Sequence, residues 1–147
     1  MLKENTNITI REMTIADYEE VYAMWQITTK RALSKADEKP QIAKYLERSG
    51  GMSQVAVSDG KIIGTVLASH DGRCGFIHHM AVLPEYRRQH IGHHLAQRAL
   101  EKLRDEGIEE THIFSYQNNS TGQSFWKDFG FEKREDIFVF SFDNSKI

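Results

Sequence analysis

Apolar and polar residues alternate from Ile8 to Arg11, which predicts a short β-strand near the start of the chain. Thr14 is a good N-cap residue, and the apolar positions that follow it from Val21 to Leu33 recur at helical spacing. A second short helix is indicated from Ile42 to Leu46, and the glycine pair at 50 and 51 allows the positive φ angles that end a helix. The chain therefore begins with one strand and two helices.

Three more strands are predicted in the middle of the chain, at Gln54–Val57, Ile62–Ser69 and Gly75–Val82. Because tight turns separate them, we expect neighbouring strands to run antiparallel. The clearest helical pattern follows, with apolar residues at helical spacing from Ile91 to Leu103 and Gly107 at the place of a C-terminal cap.

The rest of the chain predicts a strand at Thr111–Tyr116, a helix at Ser120–Phe129 and a closing strand at Ile137–Phe142, which is rich in aromatic and β-branched residues. The strand, helix and strand between residues 75 and 116 require a parallel pair, because the crossover helix returns the chain to the end of the sheet at which the first strand began. We therefore predict an α/β fold with a mixed, mostly antiparallel sheet and helices on both faces.

Length and charge limit the classes of function. A chain of 147 residues fits one domain, here 1–147, and a formal net charge of -2 gives no reason to expect nucleic acid or a membrane as partner. The only cysteine, Cys74, cannot form an intramolecular disulfide, and the first residues lack the apolar core of a signal peptide. We expect a cytoplasmic protein, whose oligomeric state stays open with a homodimer as one option.

A basic loop joins the predicted strand at Gly75–Val82 to the long helix. It runs from Val82 to His93, contains two arginines, and ends where the first turn of a helix leaves backbone N–H groups without partners. Gly92 allows a ligand to approach the backbone closely, so this loop suits an anion such as a pyrophosphate. It lacks the Gly-Lys-Ser/Thr ending of a nucleoside triphosphatase loop.

The strand from Ile77 to Val82 and the following Pro84, Tyr86, Arg87 and Gly92 resemble the acetyl-CoA motif of the GNAT family of N-acetyltransferases. The family pattern in this loop is Gln or Arg, two residues, Gly, one residue, then Gly or Ala. His90 stands at the first of these glycines.

A second part of the chain also resembles the family. Asn119, Phe125-Trp126 and Gly130-Phe131 are similar to the family's asparagine that precedes an aromatic residue and a Gly-Phe pair. Together with the order of the elements, the two motifs cover nearly the whole chain. The resemblance implies the family's order β-α-α-β-β-β-α-β-α-β-β, with about seven strands.

The resemblance implies acetyl-CoA as co-substrate, with the backbone of Met80, Ala81 and Val82 pairing with the pantetheine arm as an added strand would. Asn119 would reach the same arm, although it also suits a helix N-cap. Trp126 would pack against the cofactor or in the core. Arg87 in the basic loop is also expected to contact the cofactor, and the residues expected to hold its pyrophosphate are Arg88, Gln89, His90, Ile91, Gly92 and His93.

The implied reaction is direct attack of a primary amine, on a small molecule or a peptide, upon the acetyl group. Alternation along the strand puts His78 on one face with Met80 and Val82, and His79 on the other face against a covering helix. His78 is therefore the first candidate for the general base and His79 the second. Each also suits a buried, hydrogen-bonded role.

The family's usual general acid is a tyrosine, but this chain has Trp126 at that place, and indole cannot deliver a proton. Three explanations stay open: the thiolate leaves unaided, Tyr116 substitutes, or the chain binds acyl-CoA without turnover and acts as a sensor. A further alternative is a metal-binding protein, because His90, His93 and His94 cluster at one helix start. Asp37 lies in a loop that we expect to be exposed and that suits a cationic acceptor.

Overall fold

The computed structural model describes residues 7–147. Contacts along the chain group it into one unit that ends at Phe114 and a second unit from Ser115 to Ile147. The single domain that the sequence predicts therefore stays a prediction. No helix among the described residues is both long and apolar enough to cross a membrane.

The first unit consists of a five-stranded sheet and three α-helices, joined by short 3-10 turns. Its elements are β1 (Ile8–Glu12), α1 (Tyr18–Thr28), α2 (Lys39–Arg48), β2 (Gln54–Ser58), β3 (Lys61–His70), β4 (Gly75–Val82), α3 (Ile91–Asp105) and β5 (Thr111–Ile113). The strands lie in the order β1-β2-β3-β4-β5. The first three pairs are antiparallel and β4 pairs with β5 in parallel, as the sequence predicts.

Two consecutive residues of β3 show how the helices cover the sheet. A Cβ on Gly64 would lie 3.0 Å from Leu95 of α3, so this residue faces α3. The next residue, Thr65, faces the other side, where its hydroxyl accepts a hydrogen bond of 3.0 Å from the indole of Trp25 on α1. The core therefore lies on both faces of the sheet, with the fully buried Trp25 and Leu95 at the same level.

The second unit contains α4 (Ser120–Phe129) and a 3-10 turn at Asn144–Lys146. The closing strand predicted at Ile137–Phe142 is absent from this fully described part of the chain, and the total of about seven strands is too high. A strand forms only where a partner strand takes its backbone hydrogen bonds, and residues 115–147 contain none. Phe138 and Phe140 are accordingly 87% and 92% exposed.

Two other predicted boundaries were also wrong. α1 ends at Thr28 rather than continuing to Leu33, because a 3-10 turn at Lys30–Ala32 redirects the chain. β5 ends at Ile113 and does not continue to Tyr116, which shortens its contact with β4.

Candidate active site

The parallel strands β4 and β5 separate part-way along their length. Their last paired residues are Ile77 and Ile113, whereas β4 continues to Val82. Within the described sheet, the segment His78–Val82 therefore has β3 on one side and no strand on the other. Such an edge can accept the backbone of an extended ligand.

The hydrogen bonds of β4 show which of its residues face that edge. The amide of Leu83 donates to the carbonyl of Ile63 on β3 at 2.9 Å. Backbone groups alternate in direction along a strand, so those of Ala81 also face β3 while those of Met80 and Val82 face the open edge. The guanidinium of Arg87 donates to the carbonyl of Val82 at 3.0 Å, which leaves the Val82 amide for a ligand.

A β-bulge interrupts β4 at the two candidate histidines. Thr65 of β3 pairs with Ala81, but Leu67 pairs with His78, so one more residue lies on β4 than on β3. His79, inside the bulge, has a φ of 47°, in the left-handed region that non-glycine residues rarely adopt.

The bulge reverses the alternation that the sequence predicts beyond His78. His78 pairs with Leu67 and faces the α1 and α2 side of the sheet, whereas Val82 pairs with Gly64 and faces α3. The expectation that His78 shares a face with Met80 and Val82 is therefore wrong. One inserted residue changes the phase of every residue after it.

His79 turns to the same side of the sheet as His78 and not to the opposite side. Its ring lies 4.6 Å from the ring of Trp25, and its Nε2 lies 2.8 Å from Oδ1 of Asp37. Both side chains of this pair are 9% exposed. The expectation of an exposed Asp37 was wrong, because this carboxylate is buried against an imidazole.

Asp37 in turn holds the segment between α1 and α2 in place. Its Oδ2 accepts the backbone N–H of Ser34 at 3.0 Å, and its carbonyl accepts the hydroxyl of Tyr18 at 2.7 Å. The hydroxyl of Thr65 donates to the carbonyl of His79 at 3.1 Å. Sheet, bulge and loop are thus joined in one network of hydrogen bonds.

His78 has a different environment. Its ring lies 6.4 Å from that of Tyr45 on α2 and 6.0 Å from that of Phe114. Burial lowers the pKa of His78, the nearby His79 lowers it further, and Asp37 opposes the shift. An imidazole with a lowered pKa is neutral at pH 7 and can accept a proton.

Tyr45 contributes a second polar group beside His78. Burial raises the pKa of Tyr45 to about 12, and the neighbouring Ser69 offsets this only in part. The Tyr45 hydroxyl is buried, and no described residue lies at both the distance and the angle of a hydrogen bond to it. A buried hydroxyl is costly without a hydrogen bond, and the neighbouring Ser69 is the group that can supply one.

The basic loop has a backbone shape that glycine usually provides. Arg88 and His90 have φ values of 65° and 63°, and His90 is the N-cap of α3. Its carbonyl accepts the N–H of His94 at 3.0 Å. The amides from Ile91 onward therefore begin α3, where the helix dipole favours an anion.

The second unit contains the two remaining predicted contacts. Oδ1 of Asn119 accepts the N–H of Gly122 at 3.1 Å, so Asn119 is the N-cap of α4. The ring of Trp126 lies 4.7 Å from Phe125 and 5.1 Å from Phe131, in a cluster of aromatic rings. Their contact with a cofactor stays a prediction.

The three histidines at the start of α3 do not form a cluster of metal ligands. His93 and His94 have ring centroids 6.1 Å apart. In the part of the chain that the structure describes, His90, His93 and His94 do not bring three ligand atoms within 4.8 Å of one another. The geometry therefore does not support the metal-binding alternative at this place.

Sequence reasoning missed the residues that surround the histidines. Asp37 and His79 are 42 positions apart in the sequence. Glu20 of α1 and Ile62 of β3 are equally distant along the chain, and the Glu20 carboxylate accepts the N–H of Ile62. Only the fold brings such residues together. The one signal in the sequence was the unusual pair of adjacent histidines at 78 and 79, which interrupts an apolar strand.

Comparison with known proteins agrees with this geometry. A sequence model described as the acetyltransferase (GNAT) family matches residues 13–131. Among solved structures, the chain is similar to the PaiA N-acetyltransferase of Thermoplasma acidophilum in complex with coenzyme A. The two share 22% identity and a TM-score of 0.75, over 88% of this chain and 92% of that one.

Two further structures show the same fold. Ard1 of Thermoplasma volcanium is 23% identical with a TM-score of 0.76, over 86% of this chain and 84% of that one. AAC(6')-Iy in complex with the bisubstrate analogue CoA-S-monomethyl-acetylneamine is 19% identical with a TM-score of 0.74, over 94% of this chain and 99% of that one.

Proposed function

Because the chain belongs to the acetyltransferase (GNAT) family, we propose that it transfers the acetyl group of acetyl-CoA to a primary amine of a small molecule or peptide. The observation that carries this proposal is the open edge of β4 at His78–Val82, which leads directly into the N-terminus of α3. A strand edge suits the pantetheine amides, and a helix start suits a pyrophosphate.

The expected contacts with acetyl-CoA follow the order of the chain. The backbone groups of Met80 and Val82 pair with the pantetheine arm, because they face the open edge. The amides at the start of α3 and the loop residues Arg88 to His93 bind the phosphate groups. Arg87 acts indirectly, since its side chain is bound to the carbonyl of Val82 and fixes the loop.

The reaction needs few groups from the protein. The amine nitrogen attacks the thioester carbonyl carbon, a backbone N–H of Met80 or Val82 stabilises the developing oxyanion, and the C–S bond breaks to give the amide and the CoA thiolate. The amine loses one proton, which the ring of His78 accepts. A thiol with a pKa of about 8.5 is a tolerable leaving group without a general acid.

His79 is the second candidate for the base. Its bond to Asp37 resembles the arrangement in which a carboxylate orients an imidazole, and its second ring nitrogen stays available for a proton. His78 is favoured because its ring makes no hydrogen bond to the described residues, whereas His79 is buried in the network around Asp37.

The class of acceptor follows from the groups near the two histidines. The aromatic rings of Tyr45 and Phe114 lie beside the ring of His78, so the site suits a compact amine. Two of the similar structures are named as N-acetyltransferases of aminoglycosides. An amino sugar or a related small amine is the first substrate class to test.

Calorimetry with acetyl-CoA, followed by thiol release with a panel of small amines, aminoglycosides and peptides, tests the proposal. We expect binding of acetyl-CoA and release of CoA only with an accepted amine. Binding without turnover on any amine would support the sensor alternative. Absence of acetyl-CoA binding would overturn the proposal altogether.

Amide hydrogen exchange tests the place of the cofactor. We expect acetyl-CoA to slow the exchange of the amides of Met80 and Val82, because the pantetheine arm then accepts their hydrogens. The amide of Ala81 is the internal control, since it already faces β3 and should change little. Equal protection of all three amides, or of none, would contradict the proposed binding edge.

A further inference from the structure

A thiol, an imidazole and a carboxylate come together at the start of β4 and β5, away from the proposed acetyl-CoA edge. Cys74, Glu110 and His112 each contribute one ligand atom, and these atoms all lie within 4.8 Å of one another. Nε2 of His112 is 3.9 Å from a carboxylate oxygen of Glu110. The mechanism proposed above uses none of these residues.

The register of the two parallel strands produces this cluster. Gly75 pairs with Thr111 and Phe76 pairs with His112, and the rings of the second pair lie 5.9 Å apart on one face of the sheet. Side chains two positions apart share a face, so Cys74 points to the same side as Phe76, and Glu110 to the same side as His112. The cluster is therefore a consequence of the backbone.

Hydrogen bonds hold the backbone of Cys74 in place. Its N–H donates to Oδ1 of Asp71 at 2.9 Å, and its carbonyl accepts the N–H of Asp71 at 3.1 Å. The N–H of Gly75 donates to the carbonyl of Glu110 at 2.8 Å, which joins the two strand starts. A preformed backbone favours metal binding, because flexible ligands lose more entropy when they bind.

Gly75 allows the two strands to approach closely at this point. A Cβ there would lie only 2.8 Å from the hydroxyl oxygen of Thr111 and 3.1 Å from Leu103 of α3. A larger residue would have to displace the side chain of Thr111 or Leu103. The glycine thus allows the strand starts and α3 to pack closely at this point.

We propose that Cys74, Glu110 and His112 bind a divalent ion of the Zn²⁺ class. Thiolate, imidazole and carboxylate are the three ligand types of zinc, with bonds of about 2.0 to 2.3 Å. Ligand atoms around one such ion lie roughly 3 to 4 Å apart, so small side-chain rotations close the site. Three protein ligands leave the fourth tetrahedral position for water.

The ion serves a structural purpose in this proposal. Cys74 directly precedes β4 and Met80 lies six residues further along it, up to about 20 Å away at 3.3 Å per residue, so the ion does not contact the acetyl group. It links the two strand starts from outside the core. His112 is 29% exposed and Glu110 is 66% exposed, so an ion enters from solvent. The proposal does not depend on acetyltransferase activity.

Titration with Zn²⁺ alone, in the presence of a competing chelator dye, tests the site. We expect one ion per chain and a higher Tm for the zinc-loaded protein, because a ligand that binds only the native state stabilises it. With Co²⁺ we expect a near-ultraviolet charge-transfer band, which reports a thiolate bond to the metal. C74S, E110Q and H112Q should each weaken Zn²⁺ binding by roughly tenfold or more.

H94Q is the matched control, because it removes a histidine from the start of α3 without touching the cluster. It should leave the affinity for Zn²⁺ unchanged. Circular dichroism of each variant separates loss of the ion from loss of the fold. The proposal is overturned if the wild-type chain binds no Zn²⁺, if C74S binds it with unchanged affinity, or if H94Q abolishes binding.

Discussion

His78 combines a half-buried ring with ring nitrogens that make no hydrogen bond to the described residues. Burial favours the neutral imidazole, so the pKa of His78 lies below its ordinary value of 6.5. Only a neutral imidazole can accept a proton, so a lowered pKa keeps His78 able to act as a base at lower pH.

We therefore expect that the protonation of His78 does not change kcat/KM above pH 6.5. As the pH drops through the lowered pKa, kcat/KM should fall. H78Q should reduce turnover by roughly 10²-fold to 10⁴-fold and remove this acid limb, with little change in the Kd of acetyl-CoA. H79Q is the comparison. If H79Q removes the limb and H78Q does not, His79 is the base.

The same pKa shift affects stability in acid. The unfolded chain binds a proton on His78 more readily than the folded chain does, so stability rises with pH between the lowered folded pKa and 6.5. Below that window the full cost of charging a buried imidazole is present.

His90 occupies a position that glycine would fill without strain. Its φ of 63° places it in the left-handed region, which costs a residue with a Cβ roughly 1 to 2 kcal/mol. H90G should therefore raise the free energy of unfolding by about 0.5 to 1 kcal/mol, after the greater entropy of glycine in the unfolded chain is included. Urea denaturation measures the change.

H94G is the control for this prediction. His94 lies inside the first turn of α3, where glycine is unfavourable by about 1 kcal/mol relative to alanine. The two substitutions should thus change stability in opposite directions. Destabilisation by H90G would show that the imidazole makes a contact worth more than the strain.

At the scale of elements, the loop between α1 and α2 depends on one buried pair. The carboxylate of Asp37 accepts hydrogen bonds from His79 and from the backbone of Ser34. D37A removes both acceptors and leaves the imidazole of His79 without its partner. We expect a loss of roughly 3 kcal/mol in the free energy of unfolding.

E38A tests whether replacing any acidic residue of this loop causes a similar loss of stability. Glu38 is the next residue and is exposed, so its replacement should change stability by less than about 0.5 kcal/mol. Calorimetric unfolding of both variants gives the comparison. Similar Tm values for D37A and E38A would contradict the structural role of the pair.

Helix α3 packs closely against the sheet at Gly64 of β3. A Cβ there would lie 3.0 Å from Leu95, 3.3 Å from the carbonyl oxygen of Ala81 and 3.3 Å from Ile91. The carbonyl belongs to the backbone of the neighbouring strand β4, which yields less easily than a side chain. G64A should therefore destabilise the protein by about 1 to 3 kcal/mol.

G50A serves as the matched glycine substitution. A Cβ on Gly50 would meet only the carbonyl of Leu46, at an ordinary distance of 3.8 Å, and this glycine has no positive φ. Its replacement should be neutral or slightly stabilising. Chemical denaturation of G64A and G50A under the same conditions checks the difference, and equal effects would exclude overpacking as the cause.

At the scale of the whole molecule, the proposed cofactor should stabilise the native state. At a free acetyl-CoA concentration of about 100 Kd, binding adds roughly 2.7 kcal/mol to the free energy of unfolding, which corresponds to about 5 to 10 °C in Tm. Adenosine diphosphate, which lacks the pantetheine arm, should give a smaller shift at the same concentration. Equal shifts would mean that the β4 edge takes no part in binding.

Much of the fold was predictable because local signals agreed with one another. β4 and α4 begin and end where predicted, since a turn precedes the first and Gly130 follows the second. The closing strand at Ile137–Phe142 was not predictable, because aromatic and β-branched residues show a preference for strands but not whether a partner strand exists.

Some features of the candidate site could also be predicted from the sequence, and others could not. The basic loop and the open strand edge were readable, because a strand, an anion-binding loop and a helix start are consecutive in the sequence. The partners of His78 and His79 were not readable, since Tyr45 and Asp37 belong to elements that only the fold brings near. The β-bulge at His79 could not be predicted either, because it depends on how β4 pairs with β3.

The sequence by itself determined the family and the order of the elements as far as α4, and it led to the proposal that acetyl-CoA binds at the segment from Met80 to His94, because these depend on residues that are close along the chain. The tertiary structure alone decided which way His78 and His79 face, that Asp37 is buried, and that Cys74, Glu110 and His112 meet. The physical reason is that strand register and bulges set the direction of side chains, and register is fixed by contacts between distant parts of the chain.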